Sequence, residues 1–147
     1  MFTTKFLKTS ARLFSTQSID GSGLLKLLQT QSNQTNLVVI DVREQMEIAT
    51  TGKISDAFEA NGITNVSYGE VTLNQIAEGG LNLPEDEFED AFEFTKPSID
   101  STLIFSCAAG VRSATAQKIA NNEGYKQTIN YLGGANEWFP LVGSSNE

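Results

Sequence analysis

The chain carries a single cysteine and no histidine in 147 residues. That cysteine, Cys107, stands in the stretch Leu103-Ile-Phe-Ser-Cys-Ala-Ala-Gly-Val-Arg-Ser113. The apolar run Leu103 to Phe105 reads as a buried strand. Small residues follow the cysteine (Ala108, Ala109, Gly110), then Val111, Arg112 and Ser113. From Ala114 to Glu123 the sequence predicts a helix, with Ala116, Ile119 and Ala120 on one face and Gly124 as its stop. The thiol therefore sits at a strand-to-helix turn, where backbone N–H groups converge with the positive end of a helix. Only the thiolate is a strong nucleophile, and a free thiol with a pKa of about 8.5 is mostly protonated near neutrality. A helix N-terminus and Arg112 both favour the anion, so Cys107 is expected to titrate low. Small side chains let the backbone curl around the sulfur with its amides inward, as an anion nest. Such a nest can hold a thiolate, a persulfide or an incoming oxyanion. The competing reading is a structural cysteine at a strand end, because free Cys is among the most buried residue types. The glycine-containing turn and the arginine close behind it favour the reactive reading.

Cys107-Ala-Ala-Gly-Val-Arg-Ser113 resembles the active-site loop of rhodanese (thiosulfate sulfurtransferase) domains, C-x-x-G-x-[RT]-[ST]. Further stretches extend the resemblance in chain order. Val39-Ile-Asp-Val-Arg-Glu44 is similar to the family's D-V-R-E, and Gly52-Lys-Ile-Ser-Asp-Ala57 to its G-H-I-P-G-A turn. Gly133-Gly-Ala-Asn-Glu-Trp138 is similar to its terminal G-G-x-x-x-W, and Lys96-Pro97 precedes the Cys-bearing strand as in single-domain members. The resemblance implies an α/β three-layer sandwich, with a mostly parallel central sheet of about five strands and helices on both faces. It makes Cys107 the catalytic residue and Ala108, Ala109, Gly110, Val111, Arg112 and Ser113 the substrate-binding loop. It places Asp41 and Arg43 beside that loop. Asp41 is then expected to support the loop by hydrogen bonding, and Arg43 to pair with Glu47 or a neighbouring carboxylate. The second motif departs from the family. Lys53 replaces the usual His, Ser55-Asp56 replaces Pro-Gly, and Phe58 to Ile63 is an added stretch before Thr64-Asn-Val66. One wall of the pocket is therefore expected to differ in shape.

The chemistry this implies is sulfur transfer. Thiolate Cys107 attacks the outer sulfur of thiosulfate or of a low-molecular-weight persulfide and keeps that sulfur as its own persulfide. A thiophile (cyanide, glutathione or a protein thiol) then removes it, in ping-pong covalent catalysis. Inward amides from Ala109 to Ser113 would stabilise the bound sulfur and the departing oxyanion. Arg112 either supplies charge at the rim or turns outward to a carboxylate. The scheme calls for no cofactor, no metal and no general base. With no second cysteine in the chain, release depends on an external acceptor. Neutral Ala108 and Ala109 stand where members suited to thiosulfate carry a cation, so a persulfide donor is a second expectation. Two rival readings stay open. Rhodanese-fold phosphatases and arsenate reductases use C-x5-R, whereas this chain has C-x4-R, a ring expected to be too small for phosphate. A non-catalytic persulfide carrier serving one partner protein would use the same cysteine. The expected partners are a small-molecule donor and a thiol acceptor, with the protein acting as a monomer.

The elements that position this loop come from one domain, by length. The formal net charge is −8 and the pI about 4.5. An acidic chain without a basic stripe argues against nucleic acid. No apolar run approaches the roughly 18 residues of a bilayer span, so no membrane association is expected. A lone cysteine without histidine excludes an internal disulfide and a multi-Cys or His-ligated zinc site. Residues 1–18 differ from the rest. They hold Lys5, Lys8 and Arg12, many hydroxyls and no acid until Asp20, with Phe2, Phe6, Leu7, Leu13 and Phe14 able to share one helix side. This is the composition of a mitochondrial transit peptide, and Arg12-Leu-Phe-Ser15 resembles a matrix-processing site. Residues 1–18 are therefore expected to be a targeting presequence, and 19–147 a single domain destined for the mitochondrial matrix.

Within that domain, Asp20-Gly-Ser22 caps a first helix through Leu24 to Leu28. Gln29 to Asn36 reads as a loop and Leu37 to Ile40 as a central strand delivering Asp41 and Arg43 to its carboxyl end. Glu44 to Thr51 and Val71 to Glu78 read as helices. So does Pro84 to Phe94, with Phe88, Ala91 and Phe92 inward and the acids between Glu85 and Glu93 a solvated face. Thr128 to Tyr131 is expected to be the last strand. Trp138 and Phe139 are expected in a final helical turn, mostly as core, and the tail from Gly143 is expected to fray.

Overall fold

The computed structural model describes residues 17–30 and 36–143. Residues 1–16 of the stretch 1–18 expected to be a presequence, with the expected processing site, lie outside the described residues, as do part of the polar loop and the last residues of the tail. Short β-branched and apolar strands separated by helices must pair in parallel, because each helix carries the chain back across the sheet. Strands β1 (Ser18–Ile19), β2 (Leu37–Asp41), β3 (Val66–Glu70), β4 (Thr102–Ser106) and β5 (Gln127–Tyr131) form one 5-stranded sheet in the order β1-β5-β4-β2-β3. All its pairings are parallel. The connections hold α1 (Gly21–Thr30), α2 (Gln45–Thr51), α3 (Leu73–Ala77), α4 (Glu85–Phe92), α5 (Val111–Asn122) and α6 (Gly134–Trp138).

Side chains alternate across the strands and build a core on each face. Leu37, Val39 and Ile104 pack with Leu24 and Leu28 of α1, Trp138 of α6 and Phe58. Val38, Ile40, Leu103 and Phe105 face the other way, against Ile76 of α3, Phe88 of α4 and Ala116 and Ala120 of α5. The result is the three-layer sandwich expected from the family motifs.

Several elements differ from the sequence reading. Strand β3 was not anticipated: it is a half-exposed edge strand, and its alternation is interrupted at Gly69, where the Phe94 ring leaves no room for a Cβ. Strand β1 takes Ser18 out of the stretch assigned to the presequence and pairs it with Asn130, so β5 is an interior strand. Helix α3 begins at Leu73 rather than Val71, because Thr72 caps it by accepting from the Gln75 amide. Pro84 is the N-cap of α4 rather than part of its first turn, and Glu93 closes the helix at a left-handed φ of 66°. Ala91 is exposed, not core. Phe92 and Phe94 instead stack edge-on against buried Phe88, at 4.8 and 5.1 Å, and cover that side. The acidic residues of α4 are all solvent-exposed, as expected.

The topology sets the position of the site. From β2 the chain moves to β3 on one side, and from β4 it moves to β5 on the other. Neighbouring strands whose connections diverge leave a crevice at their carboxyl ends, where α/β proteins bind ligands. The register sets Asp41 beside Ser106, and the Val42 amide extends the ladder by donating to Ser106 O at 2.8 Å. Arg43 and Cys107 therefore leave the sheet on one rim. Asp41 is fully buried, and a buried carboxylate needs a compensating charge. Arg43 supplies it, with Nη2 2.7 Å from Oδ2 and Nε 3.1 Å from both oxygens. Its other donors reach Thr51 Oγ1 at 2.7 Å and Gly52 O at 3.0 Å, tying the end of β2 to the end of α2. Of the two partners expected for Arg43, Glu47 or a neighbouring carboxylate, it takes the neighbouring carboxylate Asp41, whose side-chain hydrogen bonds come from Arg43. Arg43→Met strands the Asp41 carboxylate and should destabilise the fold by about 3 kcal/mol, read from urea unfolding. The double change Asp41→Leu/Arg43→Met should recover most of that loss.

Candidate active site

Strand β4 ends at Ser106 and Cys107 follows with 1 % of its surface exposed. The chain turns through Ala108 and Ala109 to Gly110, whose φ of 86° is the left-handed conformation that glycine adopts without cost. Helix α5 starts directly afterwards at Val111, earlier than the expected Ala114, so Val111, Arg112 and Ser113 form its first turn. Orphan amides of that turn need acceptors, and the cysteine sulfur supplies one. Gly110 N donates to Sγ at 3.1 Å and Ser113 N at 3.4 Å. The Ser113 hydroxyl lies 3.3 Å from Sγ. Burial alone would push the thiol up, but the Ser113 hydroxyl and the amides of Ser113, Ala109 and Gly110 outweigh it and hold the thiol below its ordinary range. The sulfur thus sits at a helix N-terminus among donors that favour its anionic form. The sequence reading assigned inward amides from Ala109 to Ser113. Those that act on the sulfur are Ala109, Gly110 and Ser113, while the Val111 side chain is 75 % exposed.

The loop keeps its amides inward because its carbonyls are held outward. Ala135 N donates to Cys107 O at 2.8 Å and Asn136 N to Ala108 O at 3.0 Å, both from the first turn of α6. Asn130 Nδ2 donates to Gly110 O at 3.1 Å. Gly134 has a φ of 59°, and a side chain there would run into the carbonyls of Cys107 and Ala108. Helix α6 is in turn anchored by Trp138, which is fully buried and donates from Nε1 to Ile54 O at 3.0 Å. The motif at 133–138 is therefore the clamp of the cysteine loop. The sequence reading missed this role, because backbone donors carry no side-chain signature.

Arg112 turns outward. It forms a fork on Glu47 of α2, Nη1 to Oε1 at 2.8 Å and Nη2 to Oε2 at 2.9 Å. Glu47 Oε1 also accepts from Glu44 N at 2.9 Å, closing the start of α2. The Arg112 fork, helped by that amide, brings the Glu47 carboxyl down to about 2. Beside the loop opens a groove of about 380 Å³ lined by Arg43, Met46, Glu47, Thr50, Thr51, Ala108, Ala135, Asn136 and Phe139. Sequence reading named Glu47 only as a partner for Arg43. Among the described residues no cluster of His, Cys, Asp and Glu is arranged to hold a metal ion. No helix there is long and apolar enough to cross a membrane.

A parallel α/β sheet with a cysteine caged by amides and a hydroxyl at its switch point defines the class of this protein. Within that class the chain belongs to the rhodanese-like family, whose model, the Rhodanese-like domain, matches residues 24–140. It is 47 % identical over 68 residues to thiosulfate sulfurtransferase RDL2, mitochondrial, of Saccharomyces cerevisiae, a match covering 46 % of each chain. It is 33 % identical over 103 residues to a thiosulfate:glutathione sulfurtransferase of the same yeast, covering 70 % of this chain and 65 % of that one. The matches thus span less than two thirds of the length of these relatives. The solved structure of the yeast single-domain sulfurtransferase RDL2 superposes with a TM-score of 0.67 at 31 % identity, covering 88 % of this chain and 94 % of that one.

Removing the Ser113 hydroxyl takes away a donor to the thiolate. Ser113→Ala should raise the midpoint of the pH–rate profile for iodoacetamide alkylation of Cys107 by about one pH unit. Above that midpoint the variant should react as fast as the parent.

Proposed function

We propose that the chain is a sulfurtransferase that moves a sulfane sulfur through a persulfide on Cys107. The single observation that carries this reading is the caged sulfur: a depressed thiol ringed by the Gly110 and Ser113 amides and the Ser113 hydroxyl. In the first half-reaction the Cys107 thiolate forms a bond to the outer sulfur of the donor. The donor's S–S bond breaks and its electron pair leaves with sulfite, or with a thiolate when the donor is a persulfide. The product is an anionic persulfide, which the inward amides stabilise. In the second half-reaction an acceptor thiolate or cyanide bonds to that outer sulfur, and the pair returns to Cys107 as thiolate. No proton must be moved at the sulfur, which suits a loop with no acid or base in contact with it.

The relatives named for thiosulfate and for glutathione support thiosulfate as a donor and glutathione as an acceptor. The groove beside Ala108 is large enough for a small thiol, and its Met46 and Phe139 walls suit an alkyl body. A phosphatase or arsenate reductase reading is disfavoured by Arg112, which points away from the sulfur to Glu47 instead of closing the ring over an oxyanion. We also assign the protein to mitochondria, from the basic, acid-free residues 1–16 and the mitochondrial designation of the yeast relative. Processing would fall upstream of Gln17, because residues 18–19 belong to the sheet. A reporter fused after residue 18 should be imported and shortened, whereas one carrying Lys5, Lys8 and Arg12 changed to Gln should remain outside.

The chemistry is tested by intact mass. Incubation with thiosulfate should add about 32 Da, the added sulfur of the covalent intermediate, and cyanide should remove it. Cys107→Ser should gain nothing. An unchanged parent mass after incubation with both thiosulfate and cysteine persulfide would sink the reading.

A further inference from the structure

The cation nearest the nucleophile is already neutralised. Arg112 stands in the first turn of α5, close enough to Cys107 for the thiolate to favour its charge. Both its terminal nitrogens are engaged by Glu47, in the planar fork that is the strongest form of this pairing. The same fork holds the Glu47 carboxyl well below the usual carboxylate range, so near neutral pH the two charges compensate each other. Arg43, the guanidinium that lines the groove, is spent on buried Asp41. Among the described residues that line the groove, none offers an uncompensated cation. Next to the sulfur, Ala108 and Ala109 add no charge, and the groove wall carries Met46, 80 % exposed, and partly buried Phe139.

Two donor chemistries meet this mouth differently. Thiosulfate is a dianion whose sulfonate must face outward as its outer sulfur enters the ring. It leaves as sulfite with both charges on it. A small alkyl persulfide instead presents a carbon chain to the same mouth and leaves as a thiolate with a single charge. A compensated arginine gives the sulfonate little attraction, and the carboxylate behind it repels the developing dianion.

Resting on the sulfurtransferase reading above, we propose that Glu47 is a specificity-determining residue: by holding Arg112 it sets the site against dianionic sulfonate donors and in favour of small alkyl persulfides. Glu47 lines the groove but is not among the groups hydrogen-bonded to the sulfur. It acts through Arg112 and is a positioning residue.

The test compares two donors, thiosulfate and cysteine persulfide, in each variant, with cyanide as acceptor. Glu47→Gln is the central change, because an amide oxygen can still accept from Glu44 N and keep the start of α2 closed. It frees the charge of Arg112 without shortening the side chain. The ratio of kcat/KM for thiosulfate to that for cysteine persulfide should rise about tenfold, and the gain should shrink in high salt. Glu47→Asp keeps the negative charge and should hold the ratio within about twofold of the parent's, a result that a purely steric role for Glu47 would not give. In Glu47→Gln/Arg112→Gln the gain should vanish, because the freed cation is gone. A ratio unchanged in Glu47→Gln, or raised equally in the double variant, would overturn the proposal. The alkylation profile of Cys107 in each variant reports whether the loop is intact: a midpoint shifted in Glu47→Gln by as much as in Ser113→Ala would mean that Glu47 shapes the loop, and would equally overturn it. Failure of the underlying reading looks different, since the parent would then take sulfur from neither donor.

Discussion

The structure depends on the two hydrogen bonds from α6 to the cysteine loop. A tight turn of small residues has no intrinsic reason to aim its amides at a sulfur. It does so here because the carbonyls of Cys107 and Ala108 are bound by the amides of Ala135 and Asn136 on the opposite side. The peptide planes are thereby fixed, and the N–H groups have one direction left. Each end of this arrangement is explained by sterics. Gly110 gives the left-handed bend into α5, and Gly134 lets the two backbones touch. Trp138 then sets the depth of α6 by burying an indole between Phe58 and Tyr131. A thiolate is a partial substitute for the acceptor that helix α5 lacks at its start, so the nucleophile and the helix stabilise each other.

Electrostatics at the rim follow a rule of pairing. Asp41 and Arg43 are buried together and form a strut between β2 and α2. Glu47 and Arg112 are half-exposed and join α2 to α5. Both arginines that the motifs bring to the active face are thereby committed before any substrate arrives. The donors that surround Cys107 Sγ are backbone amides and a hydroxyl, with neither guanidinium among them.

Much of this was legible in the sequence. Cys107 stood out because it is alone and is followed by small residues. The apolar runs at Leu37 and Leu103 marked the central strands, and Gly124 marked the end of α5. What was not legible needed three dimensions. Glu47 and Arg112 are 65 positions apart and meet only through the strand order. The sequence left Arg43 a choice between Glu47 and a neighbouring carboxylate, and the burial of Asp41, which the sequence does not show, decides it. Strand β3 is short, half-exposed and interrupted by glycine, so its pattern is weak. Strand β1 has residues only from Ser18 to Ile19, too few to show a period, and it borders a basic segment that reads as something else.

That first strand joins the beginning of the described chain to its last strand. Ser18 pairs with Asn130, and Gln17 O accepts both the Asn130 amide at 3.0 Å and Gln117 Nε2 at 2.9 Å. Asn130 is also the residue whose side chain holds the Gly110 carbonyl. The cage around the sulfur thus draws on contacts between segments far apart in the sequence, whose closure costs chain entropy. A cysteine without such a cage has the ordinary thiol pKa of about 8.5 and is mostly protonated near neutral pH. The donors that lower the thiol are therefore assembled only in the completed fold.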